Sequence, residues 1–123
     1  MIELLPVTEP SFLNFLNKTY HTDGKFAFVC VEKKEIKSSL IYDVKKQKGV
    51  ILNVSTVEED IFDGLVRACF AALLDMGIHQ AEFAPEVDAG MTKKLGFVGE
   101  NPYLAESLDE ILDNCKKCKK NQV

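Results

Sequence analysis

Val50-Ile51-Leu52-Asn53-Val54 opens the stretch on which the fold turns, because the hydrophobic period changes immediately after it. A nearly continuous apolar run of this length reads as a strand in the middle of a sheet. From Thr56 to Met76 the residues Ile61, Leu65, Val66, Cys69, Phe70, Leu73 and Met76 recur at helical spacing, with Gly77 as the C-terminal cap. The entry to this helix fits a capping box twice, as Thr56 with Glu59 and, one residue earlier, as Ser55 with Glu58. Beyond it the sequence predicts a strand over His79 to Ala84, a helix opened by Pro85 and running to Leu95, Gly96 as its cap, and a further strand beginning at Phe97-Val98.

Toward the N-terminus, Ile2 to Val7 is a short strand candidate. Thr8 reads as the cap, and Pro10 as the first turn, of a helix carrying Phe12, Leu13, Phe15 and Leu16. His21-Thr22-Asp23-Gly24 breaks it. Three strand candidates follow, Lys25 to Glu32, Glu35 to Val44 and Gly49 to Ser55, separated by Lys33-Lys34 and by Lys45 to Lys48. Such close spacing predicts an antiparallel meander. In its second strand Ile36, Ser38, Leu40 and Tyr42 alternate with Lys37, Ser39, Ile41 and Asp43, which suggests one well-buried face. Toward the C-terminus, Gly99 to Pro102 is a turn, and Ser107 with Glu110 boxes the start of a helix over 107–120. Leu108, Ile111, Leu112, Cys115 and Cys118 share one face of it, expected to pack on the sheet.

The chain of 123 residues is 46% apolar and 28% charged, so a folded chain with one core is expected, organised as a single domain over 1–123. Its net charge of −4, with basic residues dispersed apart from Lys116, Lys117, Lys119 and Lys120, excludes a nucleic-acid footprint. The start has neither a basic flank nor a long apolar run, so neither signal peptide nor membrane span is read there, and a cytoplasmic protein is expected. Cys30 and Cys69 sit in apolar patterns and read as small buried hydrophobes. Cys115 and Cys118 have the spacing of half a zinc site or a redox pair, but no second pair accompanies them and no metal is expected.

The order of strand, helix, three-strand meander, long helix, strand, a helix ending Lys94-Leu95-Gly96-Phe97, and strand resembles the GNAT superfamily of N-acetyltransferases. The resemblance spans roughly residues 1–104 and is most specific from Asn53 to Phe97. It implies an α/β fold of the α+β kind: a mixed, mainly antiparallel sheet with helices on both faces. It also implies acetyl-CoA, or CoA, bound between the fourth and fifth strands, and acetyl transfer to an amine. The site positions it points to are Asn53, Val54, Ser55, Val57 and Phe62 for the cofactor. For catalysis they are Asn53 or Glu82 as base and Thr92 as acid.

Three departures qualify what the resemblance implies. Family members carry an Arg/Gln-x-x-Gly-x-Gly/Ala loop, whereas Val57-Glu58-Glu59-Asp60-Ile61-Phe62 has no glycine and no cation and brings three carboxylates. A tyrosine that many members place five residues before the phenylalanine is here Thr92, a far weaker acid than a phenol. The family's final strand is replaced by the Lys-rich helix. Two readings follow: a GNAT-like domain serving as a binding or interaction module for an unknown small molecule or protein, or a divergent acyl-CoA-dependent N-acyltransferase that holds its donor through backbone pairing near Asn53, Val54 and Ser55. His21 and His79 stand apart from any Cys or Ser at motif spacing. A sheet ending early leaves an edge, so a homodimer is a further expectation.

Overall fold

The computed structural model describes residues 2–113. Six strands form one sheet in the order β1 (Ile2–Pro6), β2 (Phe26–Glu32), β3 (Glu35–Lys45), β4 (Lys48–Val54), β5 (Ala81–Phe83) and β6 (Leu104–Ala105). All neighbours are antiparallel except β4 and β5, whose parallel pairing requires the crossover helix between them. The helices are α1 (Pro10–Tyr20), α2 (Glu59–Asp75), α3 (Ala89–Lys94) and α4 (Leu108–Asp113). None of the described helices is long and apolar enough to cross a membrane.

The meander is built by two tight hairpins. Lys33-Lys34 and Lys46-Gln47 both take positive φ, the paired left-handed conformation that matches strand twist. β3 is buried on both faces from Ser38 to Asp43, not on one as its alternation suggested, because each face carries a helix. On one side Leu40, Tyr42, Ile51, Ala81 and Phe83 pack with Phe62, Leu65, Cys69, Phe70 and Leu73 of α2. On the other, Ala27, Val29 and Ile41 pack with Leu16 of α1, flanked by Phe12 and Leu13, while Phe15 points away and is exposed. α2 approaches β4 so closely that a Cβ on Gly49 would lie 2.4 Å from a Leu73 methyl.

Several element ends differ from expectation for identifiable reasons. Glu9, not Thr8, is the N-cap of α1, with no side-chain bond. α2 begins at Glu59 with Glu58 as N-cap, and neither predicted capping box forms. Ser55 is instead clasped across the sheet, its Oγ accepting from the Ser39 N–H at 2.8 Å, and the Thr56 hydroxyl accepts from the Glu58 N–H in a local turn. The C-terminus of α2 is as predicted: Gly77 is left-handed, its N–H reaching Leu74 O while the Ile78 N–H reaches Leu73 O. Pro85 starts a turn rather than a helix, and Asp88 caps α3 by accepting from the Met91 N–H. Phe97 is a core residue and not a strand residue, since the ring packs against Phe70 and Phe83, and the last strand forms later, at Leu104. Ser107 caps α4 as expected, but α4 lies against α2. Cys115 and Cys118 lie outside the described residues.

Candidate functional site

The β4–β5 pairing is short. Its register is Gly49 with Ala81, Val50 with Glu82 and Ile51 with Phe83, and a bond from the Ala84 N–H to Ile51 O closes it before the chain turns at Pro85. β4 continues to Val54, so Leu52, Asn53 and Val54 have no β5 partner. At the same point the β3–β4 register slips: Ile41 faces Asn53 and Tyr42 faces Ile51, leaving Leu52 as the extra residue of a bulge. The bulge turns Asn53 to the α1 face beside Ile41. Its Oδ1 is buried and has no hydrogen-bond partner among the described residues, an arrangement that normally costs one or more kcal/mol of desolvation.

The expected site residues divide into those this opening collects and those it does not. Asn53, Val54 and Ser55 lie together at the free end of β4, although the Ser55 hydroxyl is held by Ser39. Val57 stands in solvent at 84% exposure, and Phe62 is fully buried in the core against the sheet, so neither lines a cleft. Thr92 is also buried, and its hydroxyl donates to Ala89 O at 3.0 Å, the ordinary back-bond of a helical threonine. That leaves it no proton aimed at a thiolate. Glu82 is exposed and paired with Lys48 at 3.4 Å. It sits level with Val50, three residues or about 10 Å along β4 from Asn53. His21 is the left-handed C-cap of α1, and His79 pairs with Asp109 at 2.9 Å, a bond that lowers the Asp109 pKa.

A groove of about 940 Å³ runs between α2, the Leu95–Gly99 loop and the start of α4, and no residue of β4 lines it. Glu59, Asp60 and Asp63 of α2 line it, with Glu106 and Glu110 opposite; among the described residues its cations are Arg67 and Lys94. Both cations already hold a carboxylate of α2. Lys94 Nζ is 3.0 Å from Glu59, bridging the end of α3 to the first turn of α2. Arg67 Nε donates to both oxygens of Asp63 at 3.0 and 3.1 Å, while its Nη1 reaches Ile111 O at 3.3 Å and its guanidinium lies 5.5 Å from the Phe97 ring centroid. The Asp63–Arg67 pair has the i, i+4 spacing of helical ion pairs and could have been read from sequence. Lys94 with Glu59 could not, since only the fold brings α3 to the entrance of α2.

For acetyl-CoA, the ligand the resemblance implies, the α2 entrance and the free end of β4 offer unlike surroundings. The first N–H groups of α2 donate to no side-chain cap, so donors for an anion exist. Around them stand Glu58, Glu59 and Asp60, and Arg67 and Lys94, the cations of the groove among the described residues, are each paired with a carboxylate. The pyrophosphate end does not fit these residues. The unpaired edge of β4 is compatible with an extended, uncharged amide chain lying alongside it.

No family model and no curated protein matches the chain in sequence. Solved structures do match in fold. The ribosomal-protein-S18-alanine N-acetyltransferase of Escherichia coli superposes with a TM-score of 0.60 at 15% identity, covering 80% of this chain and 78% of that one. An IAA acetyltransferase from Bacillus cereus gives 0.59 at 14% identity over 86% and 94% of the two chains. A putative N-acetyl transferase from Escherichia coli, solved bound to coenzyme A, gives 0.54 at 11% identity over 87% and 98%. The chain has the GNAT fold, in a divergent form.

Proposed function

We propose that this chain is a GNAT-fold binding module that does not use acetyl-CoA efficiently as a donor. The observation that carries the reading is the first turn of α2, where Glu58, Glu59 and Asp60 surround the free N–H groups and Glu59 is tied to Lys94. A diphosphate placed there meets like charge worth on the order of 1 kcal/mol per carboxylate even in a water-like dielectric. The internalised hydroxyl of Thr92 supports the same conclusion, since the leaving thiolate would find no acid at that position.

One observation favours the alternative of a divergent N-acyltransferase: the free edge of β4 with the unpartnered Asn53 Oδ1 beside it. Thermal-shift and calorimetric titrations of the full chain with acetyl-CoA and CoA decide between the readings. A module should show a melting shift of no more than about a degree at millimolar ligand, because stabilisation follows RT ln(1 + [L]/Kd). A large saturable shift, with acetyl transfer to an amine, would install the alternative.

A further inference from the structure

We infer that the outer edge of β1 is a pairing site for a second copy of this chain, in one specific antiparallel register centred on Leu4. β1 ends the sheet, and no other described element pairs with its outer edge. Its edge protection is partial: Glu3 and Pro6 lie on it and limit how it can pair, but Ile2 is 49% and Leu5 43% exposed and no Lys lies within it.

The register with β2 decides which backbone groups are free. Residues of β1 and β2 pair Ile2 with Glu32 through Pro6 with Phe28, and the next pair is bonded from the Val7 N–H to Ala27 O. Bonded pairs alternate in an antiparallel ladder, so Val7, Leu5 and Glu3 bond to β2. Ile2, Leu4 and Pro6 therefore present their backbone groups outward, and Pro6 offers only a carbonyl.

Three two-fold registers use more than one of these residues. Centring on Glu3 makes four bonds but sets Glu3 against the second copy's Glu3 in the closer, non-bonded kind of pair, with Cα atoms about 4.5 Å apart. Centring on Leu5 relies on the missing Pro6 N–H and keeps only two bonds. Centring on Leu4 keeps four, two between the Leu4 residues and one from each Ile2 N–H to the opposing Pro6 carbonyl. It also places each Glu3 against an opposing Leu5 and each Ile2 against Pro6. No like charges meet, and both exposed aliphatic side chains are covered. A second copy is thus an occupant that the edge itself specifies.

The pairing of Glu3 with an opposing Leu5 supplies the test. Sedimentation equilibrium is run on wild type, Leu5→Glu, Leu5→Lys and the double variant Glu3→Lys/Leu5→Glu, with circular dichroism to verify folding. Wild type should associate reversibly to a dimer. Leu5→Glu, which opposes two acids, should weaken it at least about tenfold; Leu5→Lys, which opposes an acid and a base, should not weaken it, and the double variant should restore it. Should any variant fail to fold, the Leu4 amide of the wild type still reports: its exchange protection should rise with protein concentration while that of β6 does not. A monomer at the solubility limit, equal weakening by Leu5→Glu and Leu5→Lys, or a concentration-independent Leu4 amide overturns the inference.

Discussion

Replacing Glu58, Glu59 and Asp60 by Gln, Gln and Asn removes three charges from the α2 entrance while keeping side-chain size. Unit charges about 6 Å apart in a dielectric near that of water interact by about 0.7 kcal/mol. Three carboxylates against a doubly charged diphosphate would give about 4 kcal/mol unscreened; screening of exposed groups, with the Glu59 side chain 46% exposed, about halves this, so the three together repel a bound diphosphate by about 2 kcal/mol. The variant should bind CoA about 30-fold more tightly than wild type. Lys94, released from its 3.0 Å pair with Glu59, adds a cation in the same direction. Stability should move the opposite way. Acidic residues in a first turn contribute about 0.3–1 kcal/mol each through the helix dipole, so the melting temperature should fall by about 5 °C. Calorimetry at low and moderate salt reads the affinity, and scanning calorimetry reads the stability. If the folded variant binds CoA no better than wild type, electrostatics at this turn is not what separates the chain from a CoA site, and the reasoning fails.

Gly49→Ala drives a methyl into Leu73, whose nearest carbon lies 2.4 Å from the added Cβ; overpacking of this kind costs about 1–3 kcal/mol, read from the denaturant midpoint. Arg67→Ala removes the bonds that join Asp63 of α2 to the Ile111 carbonyl of α4, so amide exchange should accelerate in α4 well before it does in β3. Asp109 has a lowered pKa because His79 bonds to it; the stabilisation is therefore present above the ordinary Asp value and disappears as pH falls through the lowered one. Asp109→Asn should therefore lower the melting temperature slightly at neutral pH and leave it unchanged at low pH, flattening that acid limb of the stability profile, measured by melting at a series of pH values.

The strands and the long helix were legible because their signals are local. Val50 to Val54 is apolar throughout, the α2 residues recur at helical spacing, and Lys33-Lys34 is too short a break for anything but a hairpin. Errors fell where a distant residue won a local competition. Ser55 had the right chemistry to cap α2, but Ser39, sixteen residues earlier, took its hydroxyl across the ladder. Phe97 followed a helix-ending glycine and looked like a strand start, but the space beside Phe70 and Phe83 drew it into the core. The acidic loop could be read from sequence; the groove it lines could not. That groove depends on Lys94 meeting Glu59 and on α4 turning back along α2, and neither contact leaves a periodic trace.

The contrast between the α2 entrance and the free end of β4 leads to a last prediction, which separates a lost phosphate site from a closed strand edge. If the unfavourable part is confined to the α2 entrance, a thioester without phosphates escapes it. S-acetyl-pantetheine presents only an extended amide chain, which the unpaired backbone of Leu52 to Val54 can accompany as a strand would. In an ordinary CoA site, discarding the diphosphate and nucleotide forfeits charge-assisted hydrogen bonds, and affinity falls steeply. Here the same truncation removes a repulsion of about 2 kcal/mol, so the truncated thioester should bind at least as well as acetyl-CoA, and its affinity should be insensitive to salt. Two-dimensional NMR suits the weak affinities expected, with the Asn53 side-chain amide as reporter because its Oδ1 has no competing partner among the described residues. Binding of acetyl-CoA tighter than that of the truncated thioester would place the phosphates in a favourable field, contradicting the charge argument directly. Absence of any response at Asn53 to either ligand would mean that β4 is closed to strand-like ligands, and the free edge would then carry no functional reading.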